Sequence, residues 1–156
     1  MLEAVKYYGF NLSKASEELR GDKEVVLAAL KGHGSCIEFA SEELRGDKEV
    51  VLAAVKDIFI DQYGAPSFEY ISEELRGDKE VMMVAVKYWG GSLVYASEEL
   101  RADKEVVLEA VKEWCYSINC ASKELKNDTK FMKEVKKFLH KEHEYLFMKN
   151  DYQEYL

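Results

Sequence analysis

Apolar and polar positions along the chain fall into two patterns that take turns. In the first, Val25, Val26, Leu27, Ala29 and Leu30 cluster on a wide arc at about 100° per residue, leaving Glu24, Ala28 and Lys31 outside it. An arc that wide predicts a helix covered on three sides. In the second, apolar residues recur at i, i+3 and i+7. The sets are Leu12, Ala15 and Leu19; Ile37, Ala40 and Leu44; Phe68, Ile71 and Leu75; Leu93, Ala96 and Leu100; and Ile118, Ala121 and Leu125. These predict a second helix, with the small alanine allowing close approach. Asp22 has N-cap chemistry ahead of the first helix, and Asn11, Ser35, Ser67, Ser92 and Ser117 ahead of the second. Gly32 and Gly34, or Gly90 and Gly91, stand where the first helix should stop.

Between the two patterns lies one nearly constant stretch, SEELRGDKE. It occupies Ser16–Glu24, Ser41–Glu49 and Ser72–Glu80, returns with one change at Ser97–Glu105, and degenerates to SKELKNDTK from Ser122. Its starts are separated by 25, 31, 25 and 25 residues. A fixed period of that size signals a repeat array, each unit burying its apolar face on its neighbours. The expected fold is all-α: an α-solenoid-like array of short antiparallel helix pairs with a 25-residue repeat. One helical-repeat domain is expected over residues 1–156. It comprises a half-unit at 1–15, units starting near 16, 41, 72 and 97, and a degenerate capping unit with tail at 122–156. The extra residues of the long spacing, within DIFIDQYGAPS, predict a helix running on to about Tyr63 before Gly64 and Pro66 stop it. Phe131, Met132, Val135, Phe138 and Leu139 oppose a polar face of Lys133, Glu134, Lys136 and Lys137, as a terminal capping helix should. The opening LEAVKYYG aligns with Leu108–Cys115, so the chain starts inside a first helix.

Charge narrows the function classes. Each of the four SEELR-x-DKE copies carries a net −2, which accounts for the formal net charge of −8. An acidic chain lacks the basic footprint of nucleic-acid binding. The acidic face keeps the protein soluble, or attracts a protein partner that is basic. No apolar run is long enough to span a membrane, and the amino-terminal residues do not resemble a secretory leader. Cys36, Cys115 and Cys120 have no metal-type spacing, which fits thiols in a reducing compartment and a cytoplasmic protein. A Cys115–Cys120 bridge is the alternative.

Several motifs invite chemistry and have plainer readings. Arg-Gly-Asp occurs at Arg20–Asp22, Arg45–Asp47 and Arg76–Asp78. Its neighbours make it a joint, with glycine expected in a left-handed turn and aspartate capping the next helix. Glu17 and Glu18 diverge by about 100° on a helix, so they suit salt bridges to Arg20 or Lys23 rather than acid–base catalysis. His140 and His143 lack convergent partners for zinc. No nucleotide-binding or nucleophile motif stands out, and no catalytic residue, cofactor or metal is expected. The candidate partner-binding residues are Phe39, Tyr70 and Tyr95, which share one position in three successive units. A second column, Tyr8, His33, Trp89 and Trp114, is expected to close the core at the helix ends.

The unit SEELRGDKEVVLAAV resembles a domain-of-unknown-function repeat family of bacteria, protists and large viruses, whose unit reads SEELR-x-DKEVVLxAV. The likeness spans residues 2 to about 138. It implies tandem helical repeats, often appended to other domains, some in secreted effectors of intracellular bacteria. It implies no activity and no site residue. The leading expectation is therefore a non-enzymatic helical-repeat module for protein–protein interaction or scaffolding. Its alternative is a structural spacer or assembly subunit, forming homo-oligomers or docking through the amino-terminal half-unit. Part of a secreted bacterial effector is a remote third reading.

Overall fold

The computed structural model describes residues 2–31, 33–56 and 66–138. It is an all-α array, with no strand among these residues. The seven long or terminal helices are α1 (Leu2–Tyr7), α3 (Lys23–Leu30), α5 (Lys48–Lys56), α7 (Lys79–Tyr88), α9 (Lys104–Glu113), α10 (Lys123–Asn127) and α11 (Thr129–Val135). Between them lie single-turn helices α2 (Glu17–Arg20), α4 (Glu42–Arg45), α6 (Glu73–Arg76) and α8 (Glu98–Arg101). Of the first set, α10 closes the fifth unit in the same place as these turns. The expected extension to Tyr63, and Leu139, His140 and His143, lie outside the described residues.

The second arm of each helix pair is made of two pieces. Gly9–Lys14, Gly34–Phe39, Pro66–Tyr70, Gly90–Tyr95 and Cys115–Cys120 form 3-10 helices. Each is followed by an extended alanine or its equivalent and then the single α-turn. A 3-10 helix also aligns residues i and i+3, so the same apolar spacing is met without one continuous helix.

This break relocates the second set of N-caps. The capping residue is the serine of SEEL: Ser16, Ser41, Ser72, Ser97 and Ser122 each accept the amide of the leucine three residues on, at 3.2–3.4 Å. Ser92 and Ser117 are instead fully buried inside their 3-10 helices. Ser92 Oγ donates back to the Ala85 carbonyl at 3.4 Å, and Asn11 Nδ2 to that of Ala4 at 2.8 Å. At these two positions the side chain adds a second donor to a carbonyl that already accepts the Trp89 or Tyr8 amide, whereas the buried Ser117 Oγ has no such partner among the described residues. The aspartates do cap the long helices: Asp22, Asp47, Asp103 and Asp128 each accept two backbone amides at 2.9–3.1 Å.

The glycine of the joint is not left-handed. Gly21, Gly46 and Gly77 have φ between −99° and −91°, and Ala102 occupies the same place at −99°. A Cβ on Gly46 would lie 3.4 Å from the Glu43 carbonyl oxygen, an ordinary contact. Ala102 therefore fits without strain. Gly46→Ala and Gly77→Ala should each raise stability by about 0.4–1 kcal/mol, because alanine has less freedom to lose on folding. Thermal melts check this; a fall in stability would show that these joints need glycine.

Units are joined by contacts that the constant stretch supplies. The amides of Ser41, Ser72, Ser97 and Ser122 donate to the carbonyls of Arg20, Arg45, Arg76 and Arg101, one unit earlier, at 2.8–3.3 Å. Lys23 reaches Asp47 and Glu49 of the following unit, Lys48 reaches Asp78 and Glu80, and Lys79 reaches Asp103 and Glu105, all at 2.8 Å. Lys104 continues the row to Asp128 at 2.6 Å. The lysines thus bridge units rather than pairing with the SEEL glutamates. Only the arginines take that local role, as Arg76–Glu73 at 3.7 Å and Arg101–Glu98 at 4.0 Å show.

The core runs through the array between the long helices and the 3-10 helices. Val26, Val51, Met82, Val107 and Met132 are fully buried in one column, and Leu12, Ile37, Phe68, Leu93 and Ile118 in the facing one. On α11, Phe131 and Val135 are buried while Lys133 and Glu134 face outward. Lys112 Nζ sits 5.5 Å above the Phe138 ring.

Candidate functional site

The aromatic column lies in the seams between units. Phe39, Tyr70 and Tyr95 are each half-buried. Phe39 meets the Phe10 ring edge-on at 6.2 Å, and Tyr95 stacks on Phe68 at 5.7 Å with the rings 19° apart. Phe39 also lines a 300 Å³ cleft with Glu17, Arg20 and Ser41. Beside Tyr70, the charges of Glu69 and Glu38 push its phenol up. Burial, then Glu69, pushes the Glu38 carboxyl up in turn. In the seams, the Nε atoms of Arg20, Arg45, Arg76 and Arg101 are buried without a hydrogen-bond partner. Much of this aromatic surface is therefore already spent on neighbouring units.

The second column is in register as well. Trp89 and Trp114 stack at 6.4 Å, and Tyr8 meets His33 edge-on at 5.5 Å. Trp114 and Tyr8 remain about half exposed, so the column covers the helix ends without disappearing beneath them.

The three thiols are free. Burial of Cys36 pushes it up to about 12, and burial raises Cys115 and Cys120. All three are thus held as neutral thiols at neutral pH, which disfavours nucleophilic use. Among the described residues no group of three or more His, Cys, Asp or Glu side chains is placed to hold a metal ion. No described helix is long and apolar enough to cross a membrane.

The surface with room for a partner was not singled out by the sequence. It is a groove of about 1100 Å³ running across α1, α3 and α5. Its floor is Leu2, Leu27, Ala28, Leu52 and Ala53, and its rims carry Lys6, Lys31 and Lys56 on one side and Glu24, Glu49 and Glu80 on the other. The floor is a product of the repeat. Leu27 and Leu52 sit on the flank of the apolar arc, where the neighbouring long helices leave them half-exposed. Ala28 and Ala53 share the position expected to face outward, but neighbouring helices bury Ala28 and leave Ala53 half-exposed; the position becomes Glu109 and Glu134 in the last units. Only a comparison of units across that one position (Glu3, Ala28, Ala53, Val84, Glu109), combined with the stacking direction, marks the helices α3, α5 and α7 as apolar there.

A family model described as a domain of unknown function (DUF4116) matches four stretches of the chain, residues 1–45, 22–64, 47–101 and 103–137, the first three overlapping. The protein is a DUF4116 repeat protein. The matched stretches cover the constant joints and the helices on both sides of them, so the family pattern is the architecture described above. Within the DUF4116 array the groove falls in the units whose outward position is alanine. No curated protein and no solved structure is found to match the chain.

Proposed function

We propose that this DUF4116 chain is a non-enzymatic protein-binding module, a scaffold surface built from repeats. The observation that carries the reading is the groove across α1, α3 and α5, with Leu27, Leu52 and Ala53 left half-covered by the fold. Apolar floors rimmed by charge are the form that partner-binding surfaces take. The joints support it too: capped helices, unit-to-unit hydrogen bonds and a lysine row hold the floor rigid, so little ordering entropy opposes binding.

The test is capture from the native cell with the full chain and with Leu52→Arg. Leu52 is half-exposed, so the variant should keep its helical signal. A partner retained by the parent chain and lost with Leu52→Arg supports the groove. Equal recovery by both overturns it. Loss instead with the combined Phe39→Ala, Tyr70→Ala and Tyr95→Ala variant moves the binding surface to the aromatic seams.

One observation favours a second reading, assembly through the exposed face of α1. Ala4 is exposed, whereas the equivalent Ala29, Ala54, Ala85 and Ala110 are buried against a preceding helix. Tyr7 beside it is 92% exposed. Val5, by contrast, is buried and belongs to the core. Light scattering of Ala4→Glu decides: a concentration-dependent dimer that this change abolishes supports assembly, and a monomer at all concentrations rejects it.

A further inference from the structure

The long helices end in a column of exposed lysines: Lys6, Lys31, Lys56, Lys87 and Lys112. Three residues before each stands Glu3, Ala28, Ala53, Val84 or Glu109. Where that residue is glutamate the lysine is paired, Lys6 with Glu3 at 3.3 Å and Lys112 with Glu109 at 3.0 Å. Where it is apolar, Lys31, Lys56 and Lys87 have no carboxylate partner among the described residues. Apolar floor and unpaired lysine thus occur in the same units.

The opposite rim differs. Glu49 and Glu80 are already neutralised by Lys23 and Lys48, each at 2.8 Å. Glu24 has no such lysine before it among the described residues. The lysine edge of the apolar strip thus carries positive charge with no carboxylate partner among the described residues, while on the opposite edge only Glu24 is left without a lysine, in a chain whose formal net charge is −8.

We propose, on the protein-binding reading above, that the groove takes an amphipathic helix of a partner protein whose apolar stripe is flanked on one side by aspartate or glutamate. The helix lies across α3, α5 and α7. Its carboxylates meet Lys31 and Lys56 on the groove's rim and the exposed Lys87 beyond it on α7, and its apolar residues meet Leu27, Leu52 and Ala53. Packed parallel helices stand about 8–10 Å apart. A helix rises about 1.5 Å per residue, so one laid across them meets a new row roughly every five to seven residues. The partner's apolar and acidic positions therefore recur at close to a heptad, over three rows. Glu109, paired to Lys112, ends the apolar strip at α9.

The test uses labelled 21-residue helical peptides with leucine on the heptad face, one with glutamate along the flank and a sister with lysine there. Each is titrated into the full chain by fluorescence anisotropy. The acid-flanked peptide should bind at least tenfold more tightly than its sister. Combined Lys31→Glu, Lys56→Glu and Lys87→Glu should reverse that order with an unchanged melt. Equal binding of both peptides, no binding of either, or indifference to the triple change overturns the proposal. If Leu52→Arg still loses its cellular partner, the protein-binding reading survives that failure. Tighter binding of a peptide of residues 139–156 would make the chain's own tail the occupant. A dimer broken by the triple change would make it a second copy. Either result overturns the partner-helix assignment.

Discussion

Replacing Gly90 with alanine should lower the melting temperature by roughly 6–12 °C, the response of a domain of this size to a loss of about 3 kcal/mol. Gly90 opens the 3-10 helix Gly90–Tyr95 and lies against the next unit's α9. A Cβ there would collide with the carbonyl oxygen of Ala110 and crowd Trp114, its backbone nitrogen at 3.0 Å. The obstacle is backbone, which cannot turn aside as a flexible side chain would. That carbonyl also accepts the Trp114 amide at 2.9 Å, so moving it disturbs the end of α9. Gly9 stands in the same relation to Ala29 three units earlier, and the same loss is expected there. Gly46→Ala is the internal control, since its site has room. Thermal melts of both variants measure the contrast. An unaltered melt for Gly90→Ala would mean that the units separate easily, against the close packing described here.

The two glycine columns show how far the sequence could be read. SEELRGDKE was legible as a joint, because aspartate before an apolar run is a local signal and needs only its own amides. The conformation of Gly21, Gly46 and Gly77 was not, since glycine is compatible with either sign of φ. Ala102 in the fourth copy carried the information, and its negative φ is shared by the other three. The Gly9 and Gly90 column has no local signature. Its constraint comes from a carbonyl twenty residues on, in another unit.

The same limit applies to charge and surface. A lysine one residue after a cap aspartate looks as if it should pair within its own stretch. Lys23 pairs 24 and 26 residues away because parallel stacking brings the next cap alongside it. The i, i+3, i+7 spacing of Leu12, Ala15 and Leu19 did identify buried or half-buried positions. It did not reveal the break at Ala15, because a 3-10 turn and an α-turn share the three-residue step. The groove was hidden for a related reason. Ala28 and Ala53 vary to Glu109 and Glu134 without harm to the fold, so variation there looked like neutrality rather than a change of surface.

The row of capped aspartates makes stability depend on acid in a defined direction. Asp47 and Asp78 are held below the usual carboxylate range chiefly by hydrogen bonds from Lys23 and Lys48. For Asp103 burial pushes upward, and the Lys79 hydrogen bond with the amides of Val106 and Glu105 outweighs it. A folded-state value below the unfolded one, about 3.9, stabilises the protein above that pH. The contribution disappears as pH falls through the folded value. Lys23, Lys48 and Lys79 are shifted up by the same bonds, so their share is lost only as strong alkali is approached. Asp103→Ala removes two cap bonds and one lysine contact, and should cost about 1 kcal/mol for the cap at neutral pH. Asp103→Asn keeps an oxygen for the cap and loses the charge, a smaller cost because the lysine pair is largely exposed. Melts at pH 7 and pH 3 separate the two terms. The gap between the Asn variant and the parent chain should narrow at the lower pH, which lies below the unfolded carboxylate's value of about 3.9, while the Ala variant stays below both. Convergence of all three would assign the whole effect to charge and none to the cap. A constant gap between Asn and parent would remove Asp103 from the acid response.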